Sequence, residues 1–261
     1  MIVKSTESQT KRVFIAVGLT GLVRAEWMFA RYGQVIPCNW SQNEYLMWYP
    51  TYGPLGYLVA EARNMAVRQF LQLGFEWLFF IDHDTVLPLN FFLTANNRML
   101  KEKIPVWSGL YFTKSVPSEP LVYRGKGNGH YVDWKLGDKI WVDALPMGCT
   151  VIHNSILKRM WDDSEEYVVG QEKLRRVFRT PQEAWYDPQA GGWQLKTGTE
   201  DIDWCWRVIE GGYFKKAGWG DFQKKKYPFM VDTSLFCRHI DQNGVMYPAH
   251  GEETYFIRSE K

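Results

Sequence analysis

The most constraining stretch of the sequence is a passage from helix to strand in its first third. Val59, Ala62, Ala66, Phe70 and Leu73 recur at spacings of three and four residues, the period of one helix face, and Gly74 stands where a left-handed C-cap belongs. The chain then runs straight into Phe75-Glu76-Trp77-Leu78-Phe79-Phe80-Ile81, an apolar run too short for a second helix and suited to a strand covered on both faces. Asp82-His83-Asp84 follows at once, then Thr85 and Pro88. Acidic residues are therefore expected at the carboxyl end of a central strand, the edge where open α/β sheets bind ligands.

The rest of the chain reads in the same idiom. Residues 12–18 form a strand ending at Gly18, Leu19-Thr20-Gly21 a loop, and Val23 to Tyr32 a helix. A strand near Gln34–Cys38 is expected to give way to a loop reaching residue 52. Further strands are expected at Pro105–Phe112, Leu121–Tyr123, His130–Trp134, Lys139–Val142 and Met147–Ile152, with a helix from Ser155 to Trp161. Residues 162–198, polar and broken by Pro181, Pro188, Gly191 and Gly192, read as a long mobile loop. Thr199 can cap a helix through Glu210, stopped by Gly211-Gly212, and a last strand spans Phe229 to Arg238 before His239-Ile240-Asp241. No linker or repeat divides the chain, so one domain over residues 1–261 is expected, with residues 1–11 as a polar extension.

Composition removes several classes. A formal charge of +2 gives no global reason to bind a polyanion. Cys38, Cys149, Cys205 and Cys237 show no C-x-x-C spacing, which argues against a zinc site or a disulfide framework and for reduced thiols in a cytoplasm. Neither G-x-G-x-x-G after the first strand nor a P-loop is present, against dinucleotide and P-loop enzymes. The first residues lack the order of a secretory signal, and the run from Trp77 to Ile81 falls far short of the ~20 residues of a membrane span. No obligatory protein partner is indicated. The 13 tryptophans are read first as core and second as a surface that stacks on sugars or bases.

Three clusters carry chemistry. Asp82-x-Asp84 at a strand end can aim two carboxylates at one hard cation, although Asp201-x-Asp203 repeats the spacing and such a pair alone is usually a solvated turn. In Thr199 to Arg207, a helical projection buries Ile202, Cys205, Trp206 and Ile209, and pairs Asp203 with Arg207 towards solvent. It leaves Asp201, in the first turn, as a candidate general base, where Glu200 and Asp201 could equally serve only to complement the helix dipole. His239, at the end of a half-buried strand, can supply a nitrogen ligand to an Asp/Asp site, whereas His83, His130, His153 and His250 read as ordinary satisfied histidines.

In their order, Ala62-Arg63-Asn64, Phe79-Phe80-Ile81-Asp82-His83-Asp84, Gly148, Glu200-Asp201 and His239 resemble the GT-A glycosyltransferases, family-2-like inverting enzymes above all, over residues 12–241. The resemblance implies a single Rossmann-like GT-A domain, α/β, with a mixed, mostly parallel central sheet flanked by helices. It implies transfer of a sugar from a nucleotide-diphosphate donor, UDP-sugar favoured, with Mn²⁺ or Mg²⁺ held by Asp82, Asp84 and His239, and Asp84 the direct ligand. Asp201 would deprotonate the acceptor hydroxyl, with Glu200 beside it. Val17, Gly18, Thr20, Arg63, Asn64, Asp82 and His83 would bind the donor, and Gly148 and Trp204 would lie on the acceptor side. His83 inside the Asp-x-Asp and the tryptophans after Asp201 depart from the usual pattern.

Two other classes compete. A metal-dependent nuclease could use Asp82, Asp84, Glu200 and Asp201 on two cations, but the near-neutral charge opposes it. A non-catalytic carbohydrate-binding protein would suit the tryptophans without explaining the carboxylates. The acceptor stays open between a glycan, a protein and a hydroxylated base in viral DNA, for the last of which Lys224-Lys225-Lys226 with Arg175, Arg176 and Arg179 would be the flanking basic clusters. The loop at 162–198 is expected on the acceptor side, excluding water from the donor.

Overall fold

The structure, a computed structural model, describes residues 10–37, 46–125 and 130–249 of the 261. In chain order the first elements are β1 (Thr10–Gly18), α1 (Ala25–Tyr32), β2 (Leu46–Tyr52), α2 (Val59–Leu73), β3 (Trp77–Asp82), β4 (Thr85–Val86) and α3 (Phe91–Leu100). Next come β5 (Val106–Leu110), β6 (Lys139–Val142), β7 (Cys149–His153), α4 (Asn154–Asp163), β8 (Glu166–Val169), β9 (Glu172–Arg175), β10 (Gln182–Asp187) and β11 (Gly192–Thr197). The chain closes with α5 (Glu200–Glu210), α6 (Tyr213–Lys216), α7 (Gly220–Gln223), β12 (Phe229–Phe236), β13 (Arg238–Ile240) and β14 (Met246–Tyr247).

Seven strands form one sheet in the order β2-β1-β3-β7-β5-β12-β6. The pairings make β7 and β6 antiparallel to their neighbours and leave the other five running one way, so the fold is α/β with a mixed, mostly parallel sheet. The carboxyl ends of β1, β3, β5 and β12 consequently share one edge. β3 sits at the centre and is covered on both faces, as its composition requires. Leu78 and Phe80 point into the cluster with Phe14, Phe70 and Trp204, while Trp77, Phe79 and Ile81 point into the cluster with Val13, Ile15 and Phe91. Phe79 stacks on Phe91 at 4.8 Å between ring centroids. Each such side chain contributes about 1.5–3 kcal/mol by leaving water. Gly74 ends α2 at φ 71°, its N–H bonded to the carbonyls of Phe70 and Leu71, which lets the chain turn directly into β3.

Several local expectations give way to tertiary pairing. Gln34 to Ile36 form no strand: the Gln34 amide bonds the carbonyls of Ala30 and Pro88, and the Val35 N–H bonds Leu89. Cys38 and His250 lie outside the described residues. Part of the expected loop before residue 52 is instead β2, an edge strand that tolerates Pro50 because only one of its sides pairs. α3 has no counterpart among the elements expected from the sequence, though Phe91, Phe92, Ala95 and Met99 all bury one face of it. Leu121–Tyr123 and His130–Trp134 make only single bridges. Residues 162–198 are two hairpins, β8–β9 and β10–β11, rather than a loop.

α5 is rotated from its projection. Trp204, Cys205 and Val208 are buried, Ile202, Trp206 and Ile209 only partly. Asp203 is 11% exposed, because Arg179 joins Arg207 on its carboxylate. Lys224–Lys226 precede β12 and so lie at the opposite sheet edge from Asp82 and Asp84, not beside them. Cys149, Cys205 and Cys237 are buried free thiols, and no helix among the described residues is long and apolar enough to cross a membrane.

Candidate active site

The site grows from the ends of β1 and β3, where Gly18 and Asp82 are register partners. The Asp82 backbone is fixed twice: its N–H donates to the Gly148 carbonyl at 3.0 Å, and its carbonyl accepts from the Trp27 indole at 2.9 Å. His83 pins the loop after β1 to the turn after β3. Its Nδ1 donates to the Gly18 carbonyl at 3.0 Å, and its Nε2 lies within hydrogen-bond distance of the Thr20 hydroxyl at 3.1 Å. A side chain with both nitrogens engaged is a brace, and its place in the middle of Asp82-x-Asp84 follows from that.

Arg63, from the first half of α2, organises the charges. Its Nε donates to Glu200 at 2.9 Å and its Nη2 to Asp82 at 3.4 Å, while the guanidinium lies 5.1 Å from the centre of the Phe80 ring. Burial opposes its charge, yet Asp82, Glu200 and Asp201 together move its pKa upward. One cation thus ties the end of β3 to the start of α5. Asp201 is half-buried, with Oδ1 accepting from the Ile202 N–H at 2.8 Å. Burial first, and the neighbouring Glu200 charge second, raise its pKa above the ordinary aspartate value, against the Thr199 hydroxyl and Arg63. The charge of Asp201 also reaches the Tyr111 and Tyr123 phenols, whose pKa values are raised chiefly by burial, Tyr123 to about 12.

Asp84 is paired with Lys114, from the loop after β5, and β4 places it beside β13, where His239 is the register partner of Thr85. Burial lowers the His239 pKa, with Asp84 pulling the other way, so the ring is neutral near pH 7. Its Nδ1 is buried without a hydrogen-bond partner, and Tyr111 packs edge-on at 5.0 Å. Two carboxylates and a neutral imidazole with an unpartnered nitrogen suit Mn²⁺ or Mg²⁺ in donor type. Among the described residues no three His, Cys, Asp or Glu side chains already converge on one point, so a cation would have to draw Asp84 away from Lys114.

No protein-family model matches the sequence, and no curated protein does. Solved structures do. A197 from STIV is 16% identical with a TM-score of 0.54, each chain covered over 92% of its length. GalNAc-T7 with UDP, GalNAc and Mn²⁺ is 10% identical with a TM-score of 0.45, over 97% of this chain and 48% of its own. S. aureus TarS 1–349 in complex with UDP-GlcNAc is 12% identical with a TM-score of 0.37, over 61% of this chain and 49% of its own. This chain has the GT-A fold.

Within the GT-A fold the expected donor residues gather unevenly. Val17, Gly18, Thr20, Arg63, Asp82, His83 and Asp84 line one cleft of about 240 Å³, together with Tyr57 and Phe80. Glu200 reaches that cleft through Arg63, and His239 borders Asp84 through β13. Asn64 does not reach it. Its amide donates to the Phe178 carbonyl and the Tyr167 hydroxyl, each at 2.8 Å, and its oxygen accepts from the Phe178 N–H at 2.7 Å, so it is consumed in holding the 176–181 segment to α2. Trp204 is no acceptor floor: fully buried, it stacks on Phe178 at 5.6 Å. Gly148 is buried beneath Asp82, where a Cβ would lie 2.8 Å from the Tyr111 hydroxyl and 2.9 Å from Asp82 Oδ2. Its need for glycine is steric. Sequence reasoning misses Lys114 and Tyr111, since nothing local marks a lysine or tyrosine after a buried strand as facing Asp84 or Gly148.

Proposed function

We propose that the protein is a glycosyltransferase that moves a sugar from a nucleoside-diphosphate sugar, a UDP-sugar in the first instance, to an acceptor hydroxyl with inversion. The observation that carries this reading is Arg63, which joins the strand-end Asp82 to the acidic start of α5 beside a cleft at the sheet's carboxyl edge. Val17, Gly18 and Thr20 form the wall for the nucleotide, with His83 fixing that wall. Asp201 takes the acceptor's proton as the oxygen attacks the anomeric carbon, and the bond to the diphosphate breaks with its electron pair leaving on the phosphate. A raised pKa makes the ionised Asp201 carboxylate a stronger base than an exposed aspartate. Asp82, Asp84 and His239 would hold Mn²⁺ or Mg²⁺, which when bound supplies Lewis-acid stabilisation of the departing diphosphate.

The nuclease reading is disfavoured by the same bridge. Arg63 stands between Asp82 and Glu200, where two catalytic cations would need mutually close carboxylates. Arg175 and Arg179 are engaged with backbone carbonyls and Asp203, and Lys224–Lys226 lie at the far edge, so these basic clusters form no track to the cleft.

The test is calorimetric titration of UDP, GDP, TDP and CDP, with and without Mn²⁺, into wild type, Asp84→Ala and Asp201→Asn. One nucleotide should bind in a metal-dependent way, lose that dependence in Asp84→Ala and bind Asp201→Asn unchanged. Asp201→Asn should also stop turnover of the matching nucleotide sugar. Failure of all four nucleotides to bind wild type would overturn the reading.

A further inference from the structure

The β10–β11 hairpin forms a two-stranded sheet of its own among the described residues. Its register places Ala184 opposite Leu195 and Tyr186 opposite Trp193, so these four share one face. Tyr186, Trp193 and Leu195 are 54%, 75% and 64% exposed, and the Tyr186 and Trp193 rings meet edge-on at 5.9 Å. A two-stranded hairpin with an uncovered apolar face is marginal in water and has reason to be kept only if something else uses that face. Its root is closed by the Gly198 N–H donating to the Pro181 carbonyl at 3.0 Å, and two residues later Glu200 holds Arg63. Between that root and α5 runs a groove of about 520 Å³ lined by Gln182, Glu183, Lys196, Ile202, Asp203 and Trp206.

We infer that this hairpin and the groove at its root bind the acceptor, and that the acceptor is an uncharged glycan chain. The inference rests on the glycosyltransferase reading and names the substrate class of that site. Pyranose rings present an apolar C–H face and an equatorial belt of hydroxyls, which match an aromatic platform whose face is continued towards the root by the Gln182 amide and the Thr197 hydroxyl. The charges on residues 182–197 are Glu183, Asp187 and Lys196, a net of −1. A phosphate backbone needs the opposite, a basic surface that releases counterions. The hairpin therefore distinguishes a glycan from DNA, a choice that composition leaves open.

The experiment uses the full chain on an array of immobilised neutral and anionic glycans, with a hydroxymethylated DNA duplex in parallel, comparing wild type with Trp193→Ala and Tyr186→Ala/Trp193→Ala. Both substitutions fall on exposed side chains and leave the core intact. Wild type should bind one or more neutral glycans, weakened at least about tenfold in the double variant. Calorimetric affinity for the donor nucleotide should be unchanged. Binding of no neutral glycan, neutral-glycan binding indifferent to both variants, or variant-sensitive binding of DNA would each overturn the inference. So would a wild-type dimer, seen by sedimentation, that the variants make monomeric, because the face would then belong to a second copy. Loss of donor binding in wild type would refute the transferase reading separately, since glycan binding is read without a donor.

Discussion

Removing the Arg63 guanidinium tests how the site is held together. Arg63→Met keeps most of the side-chain volume on Phe80 and deletes the charge between Asp82 and Glu200. The side chains of Arg63 and Glu200 are 8% and 13% exposed, which puts the pair in the buried regime, where breaking one partner costs about 3–5 kcal/mol. Asp82, at 32% exposed, can recover part of its hydration, so the lower end of that range applies, about 3 kcal/mol at pH 7. The cost should depend on pH. Without Arg63, Asp201 loses one of the groups that hold it ionised, and its carboxyl is pushed further towards the neutral form, which a folded variant adopts more readily as pH falls. The difference from wild type should therefore shrink as pH falls. Urea unfolding followed by tryptophan fluorescence, on wild type, Arg63→Met, Glu200→Gln and the double variant, measures all of this. Glu200→Gln should soften the effect of Arg63→Met by about 1–2 kcal/mol, since it removes one of the stranded charges. A cost for Arg63→Met under about 1 kcal/mol, or one identical in the wild-type and Glu200→Gln backgrounds, would show that Arg63 is a solvated surface pair and not the joint between β3 and α5.

Gly148→Ala should lower stability by about 1–3 kcal/mol and weaken metal-dependent nucleotide binding, because the new Cβ pushes on both Tyr111 and Asp82; Tyr111→Phe in the same chain should restore part of the stability, and an additive double variant would refute the steric account. Asn64→Leu should cost about 2–4 kcal/mol by orphaning the Phe178 backbone yet leave nucleotide affinity in the folded protein within about twofold, as calorimetry would report. His153 caps α4 through the Ser155 N–H, and burial, with Arg12 nearby, lowers its pKa to about 4. The unfolded chain takes a proton near pH 6.5 and the folded one does not. Stability should therefore fall by up to about 3 kcal/mol as pH drops from 6.5 to 4 and then level off, a slope that His153→Asn, which keeps the cap, should remove in urea melts at stepped pH.

What was legible in the sequence follows from how local each cause is. The α2–β3 passage is set by an uninterrupted helical period, one glycine at positive φ and a run of large apolar residues, all within 25 residues of each other, and it folds as its pattern requires. β2 could not be read that way. Its strand character comes from pairing with β1, which an internal Pro50 disguises and an edge position permits. The rotation of α5 has a similar origin: a helical wheel groups Ile202, Cys205, Trp206 and Ile209 as the buried stripe, whereas Phe178, delivered by the segment that Asn64 holds, and Phe229 give Trp204 rings to pack on and turn its face inward.

The site divides along the same line. Carboxylates at the end of a buried central strand are a local consequence of that strand, so Asp82 and Asp84 could be placed at the sheet edge from their neighbours in sequence. The groups that modify them come from elsewhere: Arg63 from α2, Lys114 from the loop after β5, Gly148 from the turn just before β7. Each acts through a property that residue type does not carry, a distance to one oxygen or the absence of one carbon. Asn64 makes the point from the other side. It adjoins Arg63 on α2 and has a donor and an acceptor suited to a nucleotide, yet a helix turns successive residues by about 100°, so while Arg63 reaches Asp82 its neighbour faces Phe178 and spends every polar atom there. In a site built at the rim of a sheet, the helix face a residue occupies decides between binding a ligand and binding the fold.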